Sequence, residues 1–403
     1  MSPSPWRVAL SFQATLTQAS WVGVRLMIGY RALDEGAGPA FLGLLASSFA
    51  LPALVAALPA GRAADRRGGT VLVFAGLLIA AAGILSMLLV PGLTVLLLAS
   101  MLVGFGHLLV IVGQQSFVAH VSRAGSRDGA FGTLTAAASV GQLIGPPAVT
   151  IIASLGANGN SARPDTTLGL LVCMGFSVLA LPVYFRLRPI DRNLRRLRRT
   201  GTQEIQSAAA IFRTPGLWRS LLVSGAVLVT VDLMYAFVPV WATEQGISAT
   251  AVGLLLALRA GISVVSRIGL TRLIARFGRK ALLVVSISAA ALGLLALPLV
   301  GLHGAVIVMI GLGLGLGIPQ PITMAWVISL TDASRHGAAL GLRMTVNRFA
   351  QITLPIAVGT FAGPLGVLGI FWVNAAVLAG ALVIVAGSAT GKSSIPPPTD
   401  GYS

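Results

Sequence analysis

Two stretches of this chain, RDGAFGTLTAAASVGQLIGPP at residues 127–147 and RHGAALGLRMTVNRFAQITLP at residues 335–355, share one pattern. Gln142 corresponds to Gln351 and Pro146 to Pro355, each pair being 209 residues apart (351 − 142 and 355 − 146). Glycines elsewhere repeat at 209 or 210 residues, namely Gly43 with Gly253, Gly104 with Gly313 and Gly106 with Gly315. An apolar chain duplicated at half its length predicts a membrane transporter built from two related helical bundles.

The composition supports a membrane location. Hydrophobic residues make up 56% of the 403 residues and charged residues only 10%, with a mean hydropathy of +0.90. Soluble proteins carry about 25% charged residues, so this chain has too little polar surface for water. Its successive apolar stretches of twenty or more residues are long enough to cross a hydrocarbon core of about 30 Å.

We therefore predict an all-α integral membrane protein with two pseudo-symmetric six-helix bundles. The twelve predicted transmembrane helices lie at residues 8–30, 40–60, 70–90, 94–119, 130–155, 166–187, 217–240, 248–267, 281–301, 304–330, 337–362 and 364–387. The first is too long for a removable signal peptide and is expected to remain as a span. The predicted organisation is an N-terminal bundle at 1–187, a cytoplasmic linker at 188–216, a C-terminal bundle at 217–390 and a disordered cytoplasmic tail at 391–403.

The net charge is +17, and the basic residues that produce it lie mainly in loops. This distribution argues against nucleic acid as a partner. Basic residues concentrate in alternate loops, whereas the predicted outer loops hold only Arg31 and Arg163. By the positive-inside rule, both termini are predicted to be cytoplasmic, in a cell membrane such as a bacterial inner membrane. The linker contains RRLRR at 195–199, and its residues 202–213 are a candidate amphipathic helix on the anionic inner leaflet.

Two motifs resemble signatures of the major facilitator superfamily. GRAADRRGG at residues 61–69 resembles the loop signature between spans two and three, with its glycine, Asp-Arg pair and following glycine. GQLIGPP at residues 141–147 resembles the fifth-span signature of proton-coupled exporters, although Pro147 and Ala148 depart from its usual glycines. The resemblance implies the twelve-span fold, alternating access and proton-coupled export of drugs or metabolites by a monomer.

The resemblance also implies gating and interface roles. The residues concerned are Gly61, Asp65, Arg66, Gly68, Arg123, Arg127, Gly141, Gln142, Gly145 and Pro146. Asp65 is suited to accept hydrogen bonds from a helix N-terminus of the other bundle, or to pair with a nearby arginine. Either contact would hold the bundles together at the cytoplasmic side, and the alternative is a charge that only sets topology. For the fifth-span motif, the expected interface with the second bundle competes with a simple helix kink.

Asp232 is the one acid that lies well inside a predicted span. Ionisable groups within a membrane are costly, which makes each one a functional candidate. A carboxyl in a partly dry cavity can bind and release a proton, so Asp232 is the first proton-coupling candidate. Arg25 is its expected partner, and a static ion pair is the alternative. His107 is the second proton candidate, against the alternative of a packing residue.

Polar and aromatic residues elsewhere in the spans are candidates to line the substrate cavity. They are Arg25, Arg259, Arg348, Asn347, Gln351, Tyr30, Tyr235, Gln114 and Gln115. Arg343, Asn347 and Gln351 lie four residues apart along one helix face, a stripe unsuited to lipid. Guanidinium groups bind carboxylates and phosphates, so the substrate class includes anions. Structural pairing of these arginines is the alternative.

The sequence contains no ATP-binding motif, no metal-ligand cluster and no hydrolytic triad, so we predict no enzyme activity, no cofactor and no metal site. Our first hypothesis is a secondary exporter of neutral or anionic organic molecules by proton antiport. The alternatives are uptake of an organic anion by proton symport or uniport, and a membrane receptor or scaffold that does not transport. The expected partners are a small-molecule substrate, protons and the lipid bilayer.

Asp65→Asn is expected to shift the resting protein toward the state open to the cytoplasm, because the amide loses the charge that holds the latch. Labelling of a cysteine introduced in the cytoplasmic half of the cavity would then increase. Asp34→Asn, in a predicted outer loop, is the control. Unchanged labelling in Asp65→Asn would contradict the latch.

Overall fold

The computed structural model describes residues 5–122, 127–157, 162–197, 214, 216–331, 336–362 and 366–388, and these residues form helices and no strands. In the first half the helices are α1 (Pro5–Asp34), α2 (Pro39–Ser48), α3 (Leu51–Arg67), α4 (Gly69–Leu89), α5 (Leu93–Val121), α6 (Arg127–Leu155), α7 (Thr166–Ala180) and α8 (Val183–Leu197). In the second half they are α9 (Leu217–Glu244), α10 (Ala249–Val265), α11 (Leu270–Phe277), α12 (Arg279–Ala296), α13 (Leu302–Gly317), α14 (Pro319–Ser329), α15 (His336–Ala362) and α16 (Gly366–Ala386).

The helices account for the twelve predicted spans. Within the described residues, nine helical segments are long and apolar enough to cross a membrane, and α10 with α11, bent by 66°, makes a tenth. Two further helices, α1 with 30 residues and α15 with 27, have the length but carry more polar side chains. These polar side chains form the candidate site described below. The predicted all-α membrane fold is confirmed.

Several spans are interrupted. Span two divides into α2 and α3 at Phe49–Ala50, and span ten divides at Ile318, each just before a proline at the start of the next helix. Proline has no N–H to donate and its ring clashes with the preceding turn, which favours a helix start at that point. The break in span two leaves the Phe49 ring buried beside the candidate site.

The polar segment after span six begins as a helix. α8 continues to Leu197, so the first ten residues of the predicted linker extend span six. The candidate amphipathic helix at 202–213 and the predicted tail at 391–403 lie outside the described residues. The domain boundaries therefore stay a prediction.

The two bundles meet closely at one end. We call the end with α8 and the α3–α4 connection the linker side, and the end with the α1–α2 connection the far side. On the far side, the Ser47 hydroxyl of α2 donates to the Ile352 carbonyl of α15 at 2.7 Å. The Thr250 hydroxyl of α10 donates to the Ser154 hydroxyl of α6 at 2.9 Å.

Repeated residues form this far-side contact. A Cβ on Gly43 of α2 would collide with the Pro355 carbonyl oxygen of α15. Its repeat partner, Gly253 of α10, faces the Pro146 carbonyl oxygen of α6, which a Cβ would approach to 2.9 Å. Each bundle thus contributes one glycine and one proline carbonyl, and small residues let the helix backbones approach closely.

Gly43→Val is expected to separate the bundles on the far side, because the new side chain would collide with the Pro355 carbonyl. Spin labels at Asp34→Cys and Gln245→Cys, in a Cys173→Ala background, would then report a longer distance. Gly175→Val on α7 is the matched control, since a Cβ there meets no atom within 4 Å. An unchanged distance distribution in Gly43→Val would show that this contact does not set the closure.

Candidate functional site

An ion pair joins the two bundles in the interior. Arg25 of α1 lies with one guanidinium nitrogen 2.5 Å from a carboxylate oxygen of Asp232 on α9. A second guanidinium nitrogen donates to the Asp232 main-chain carbonyl at 3.3 Å. Side-chain exposure is 6% for Arg25 and 15% for Asp232, so the pair is only weakly screened by water. The pairing expected from sequence is present.

The polar stripe of α15 extends this pair into a network. The Gln351 amide donates to the second carboxylate oxygen of Asp232, and Arg348 donates to the Gln351 carbonyl oxygen at 2.9 Å. Asn347 on the same face is buried, and its side-chain oxygen has no partner among the described residues. Arg343, one turn nearer the linker side, donates to the Ser224 hydroxyl at 2.8 Å.

Aromatic rings surround the Arg25 guanidinium. Its carbon lies 5.4 Å from the Trp21 ring centre, 5.6 Å from Phe49 and 5.9 Å from Tyr235. These distances suit cation–π attraction, which stabilises the charge where water is scarce. The Tyr235 hydroxyl also accepts a hydrogen bond from Arg259 at 3.1 Å.

His107 joins the site through an aromatic ring. Its imidazole stacks on Trp21 with ring centres 3.8 Å apart and planes within 3°. One ring nitrogen lies 3.4 Å from the Gln18 carbonyl oxygen, and the Trp21 ring contacts both the imidazole and Arg25. The two proton candidates thus have different contacts, Asp232 with Arg25 in the ion pair and His107 with Trp21 and Gln18.

The other predicted cavity residues lie further from the pair. Tyr30 is buried, and its hydroxyl has no hydrogen-bond partner in the described part of the chain. Gln114 is buried on α5 with its amide nitrogen equally unpartnered there, and Gln115 is half-buried. Tyr30 and Gln114 offer unsatisfied polar atoms, yet no described contact joins them to Asp232.

The site carries an excess of positive charge. Three buried or half-buried arginines lie around one carboxylate, Asp232. Arg25 contacts it directly and Arg348 reaches it through Gln351. Arg259 contacts Tyr235, whose ring lies beside Arg25. Because a buried charge is stable only when paired, the excess favours an anionic ligand in the site. Guanidinium groups match carboxylates and phosphates through parallel N–H donors.

The loop signature lies on the linker side. Gly68 joins α3 to α4 with φ of 99°, a conformation that favours glycine. Asp65 and Arg66 are exposed near the end of α3, and Gly61 is half-buried. Arg123 lies outside the described residues. The side chain of Arg127 also lies outside them, so its pairing with Asp65 stays a prediction.

The fifth-span motif packs mainly within its own bundle. A Cβ on Gly141 would meet the Thr15 carbonyl of α1, and one on Gly145 would lie 2.8 Å from Ala19. These two glycines therefore contact α1 instead of the second bundle as expected. The contact with the second bundle falls at Pro146, whose carbonyl faces Gly253, while Gln142 is half-buried.

Two contributors to the site were missed by sequence reasoning. Phe49 covers Arg25, and Gln18 lies beside His107. Phe49 stands three residues before Pro52, and a proline in an apolar span marks a helix break that redirects neighbouring side chains. Gln18 carried a signal as well, since it is a polar residue one helical turn before Trp21 and Val22.

The model of the Major Facilitator Superfamily matches residues 9–319 and 233–400 of the chain. The chain belongs to the Major Facilitator Superfamily. It is therefore a multi-pass membrane protein with a transporter fold, and the family points to a transporter rather than an enzyme. No curated protein matches its sequence significantly.

Solved structures with this fold superpose on most of this chain. The nucleoside transporter NupG is 15% identical with a TM-score of 0.75, over 95% of this chain and 100% of its own. The D-xylose-proton symporter is 12% identical with a TM-score of 0.74, over 94% and 96%. The peptide transporter POT, solved with sulfate, is 16% identical with a TM-score of 0.71, over 94% and 93%. At these identities the likeness shows the fold alone.

Arg25→Met is expected to destabilise the folded protein by about 3 kcal/mol, because it leaves the Asp232 carboxylate buried without its cation. The double variant Arg25→Met/Asp232→Asn should recover most of this loss, since neither charge remains. Thermal unfolding of the unmodified protein, Arg25→Met, Asp232→Asn and the double variant in detergent measures the coupling. Arg272→Met, on the exposed face of α11, is the control. Additive losses in the double variant would contradict a coupled pair.

Proposed function

We propose that this protein is a secondary transporter that moves a small organic anion together with a proton. In this proposal Asp232 binds the proton, and Arg25 with Arg348 binds the anion. The observation that supports it is the Arg25–Asp232 pair between the bundles, extended by Gln351 to Arg348. One carboxylate among three arginines suits an exchange of partners, in which a substrate anion replaces the Asp232 carboxylate beside an arginine.

The coupling follows from competition for Arg25. While Asp232 is ionised, its carboxylate occupies the guanidinium donors that a substrate carboxylate would need. A proton on Asp232 removes that competitor, so proton and anion bind with positive cooperativity. Positive cooperativity carries both species in one direction, which is symport. Antiport needs the opposite, a substrate that the proton displaces.

The same pair limits leakage of protons. In the empty, deprotonated protein, Arg25 and Asp232 neutralise each other, so the bundles can rock without leaving either of these two charges unpaired. With a proton but no anion, Arg25 stays charged and unpaired in the interior, which costs several kcal/mol. The protonated protein without substrate therefore reorients rarely.

The expected orientation of the protein in the membrane gives the direction of transport. Placing the linker side in the cytoplasm, as the distribution of arginines favours, makes the far-side closure an inward-facing arrangement. Protons flow inward across a bacterial inner membrane, so symport would give uptake. The energy source is then the proton gradient and not ATP. The name of the D-xylose-proton symporter, a protein with this fold, is in keeping with symport.

Export of neutral or anionic compounds by proton antiport is the second candidate. Its support is the GQLIGPP motif on α6, whose Pro146 lies at the contact with Gly253. The pH dependence of substrate binding separates the two, because a proton would weaken binding in an antiporter and strengthen it in a symporter.

Binding affinity for an organic anion is expected to rise on acidification, by up to about tenfold per pH unit while one proton binds with each anion. Fluorescence of Trp21, which lies beside Arg25, can report binding across a panel of carboxylates and organic phosphates. Asp232→Asn should retain binding and lose the pH dependence, since its amide imitates the protonated state. Proteoliposomes would show anion-driven proton entry in the unmodified protein and none in Asp232→Asn.

His107→Gln is the control for the proton site and should keep the pH dependence. Loss of the dependence in this variant, with retention in Asp232→Asn, would move the proton site to His107. An affinity that falls on acidification would replace symport by antiport.

A further inference from the structure

A second polar cavity lies on the linker side, away from the Asp232 network. Its volume is about 360 Å³, and it opens between α3, α4 and α8. It is lined by Arg66, Arg67, Arg188, Arg192, Asp191 and Thr70, among others. Arg67, Arg188 and Arg192 face the one carboxylate of this lining, Asp191, which leaves a formal excess of two positive charges without counting Arg66.

Asp191 joins α8 to the start of α4 and does not serve as the counter-ion for all the arginines that line the cavity. It is 2% exposed, and one of its carboxylate oxygens accepts hydrogen bonds from the Thr70 N–H at 3.0 Å and the Thr70 hydroxyl at 2.8 Å. This contact caps the start of α4, where a carboxylate interacts favourably with the helix dipole. The N-terminus of α4 is therefore already occupied.

The second carboxylate oxygen of Asp191 is an independent sign of a missing ligand. This atom is buried and has no hydrogen-bond partner among the described residues. A buried acceptor without a donor is costly, so a hydroxyl or ammonium group is expected to approach it. Phospholipid headgroups carry such donors beside their phosphate.

The position of α8 fits the interface of a membrane. Leu187 and Tyr184 of this helix are buried against the bundle, whereas Phe185 is 68% exposed. Arg188 lies over the Tyr184 ring at 5.3 Å, which directs its charge along the rim of the cavity. Aromatic and basic residues together at a helix surface are typical of the headgroup layer.

We propose that this cavity binds a phosphate-bearing anion, held by Arg188 and Arg192 of α8 and by Arg67 of the α3–α4 connection. The bound phosphate joins α8 to that connection and so fixes the start of the linker against the N-terminal bundle. Two sources supply this chemistry, namely the headgroup of an anionic phospholipid and free inorganic phosphate. The residues that line this cavity are distinct from those of the Asp232 network.

The test measures lipid retention by the full-length protein in detergent, using native mass spectrometry with phosphatidylglycerol, phosphatidylcholine and inorganic phosphate as probes. We expect phosphatidylglycerol to bind more tightly than phosphatidylcholine. Arg192→Gln and Arg188→Gln should each weaken its binding about fivefold, the effect of one basic residue near an anionic surface. Arg186→Gln removes the same charge from an exposed position of α8 that does not line the cavity, and is the matched control.

The outcomes separate the sources. Loss of phosphatidylglycerol binding in Arg192→Gln but not in Arg186→Gln supports a headgroup site. Binding of inorganic phosphate that requires Arg192, with no preference for phosphatidylglycerol, supports a site for the free anion. Equal losses in Arg192→Gln and Arg186→Gln would overturn the proposal, as would binding of neither probe. Unchanged thermal unfolding of each variant shows that the fold is intact.

Discussion

The Arg25–Asp232 ion pair is the interaction on which the rest of the interior depends. Two charges in a membrane protein are tolerated only when each satisfies the other, and here the partners belong to different bundles. The pair therefore requires α1 and α9 to approach in the middle of the molecule. Gln351, Arg348 and the rings around Arg25 are arranged about this requirement. Any motion of the bundles must either keep the pair or replace one of its charges.

The two halves of the chain divide the work unequally. The N-terminal half contributes Arg25, its aromatic surroundings and His107, whereas the C-terminal half contributes the carboxylate and the polar face of α15. The duplicated helices α6 and α15 show the same difference, since Leu134 and Ser139 in one stand where Arg343 and Arg348 stand in the other. The two copies share one architecture, and of the two it is α15 that carries these charges.

Much of the fold was predictable because burial in a membrane leaves a strong periodic signal. Long apolar runs, the repeat and the arginine-rich loops are sufficient for the span count and for two bundles. The Arg25–Asp232 pair was predictable too, since a lone intramembrane acid needs a cation. The contact of Phe49 with Arg25 was harder to predict. It depends on how the helix bends at its break, which the local sequence does not encode. The packing of Gly141 and Gly145 on α1 was also missed, because glycine spacing shows that a helix approaches without showing which one.

The glycine–proline contacts of the far side have a consequence for how such a protein arose. Gly43 faces Pro355, and their repeat counterparts Gly253 and Pro146 face each other in the same way. A surface that carries both a glycine and a proline carbonyl is complementary to a copy of itself, as in an isologous dimer. One unduplicated half would thus form both contacts at once by pairing with a second copy. Joining two such halves in one chain would therefore need no new interface at this contact.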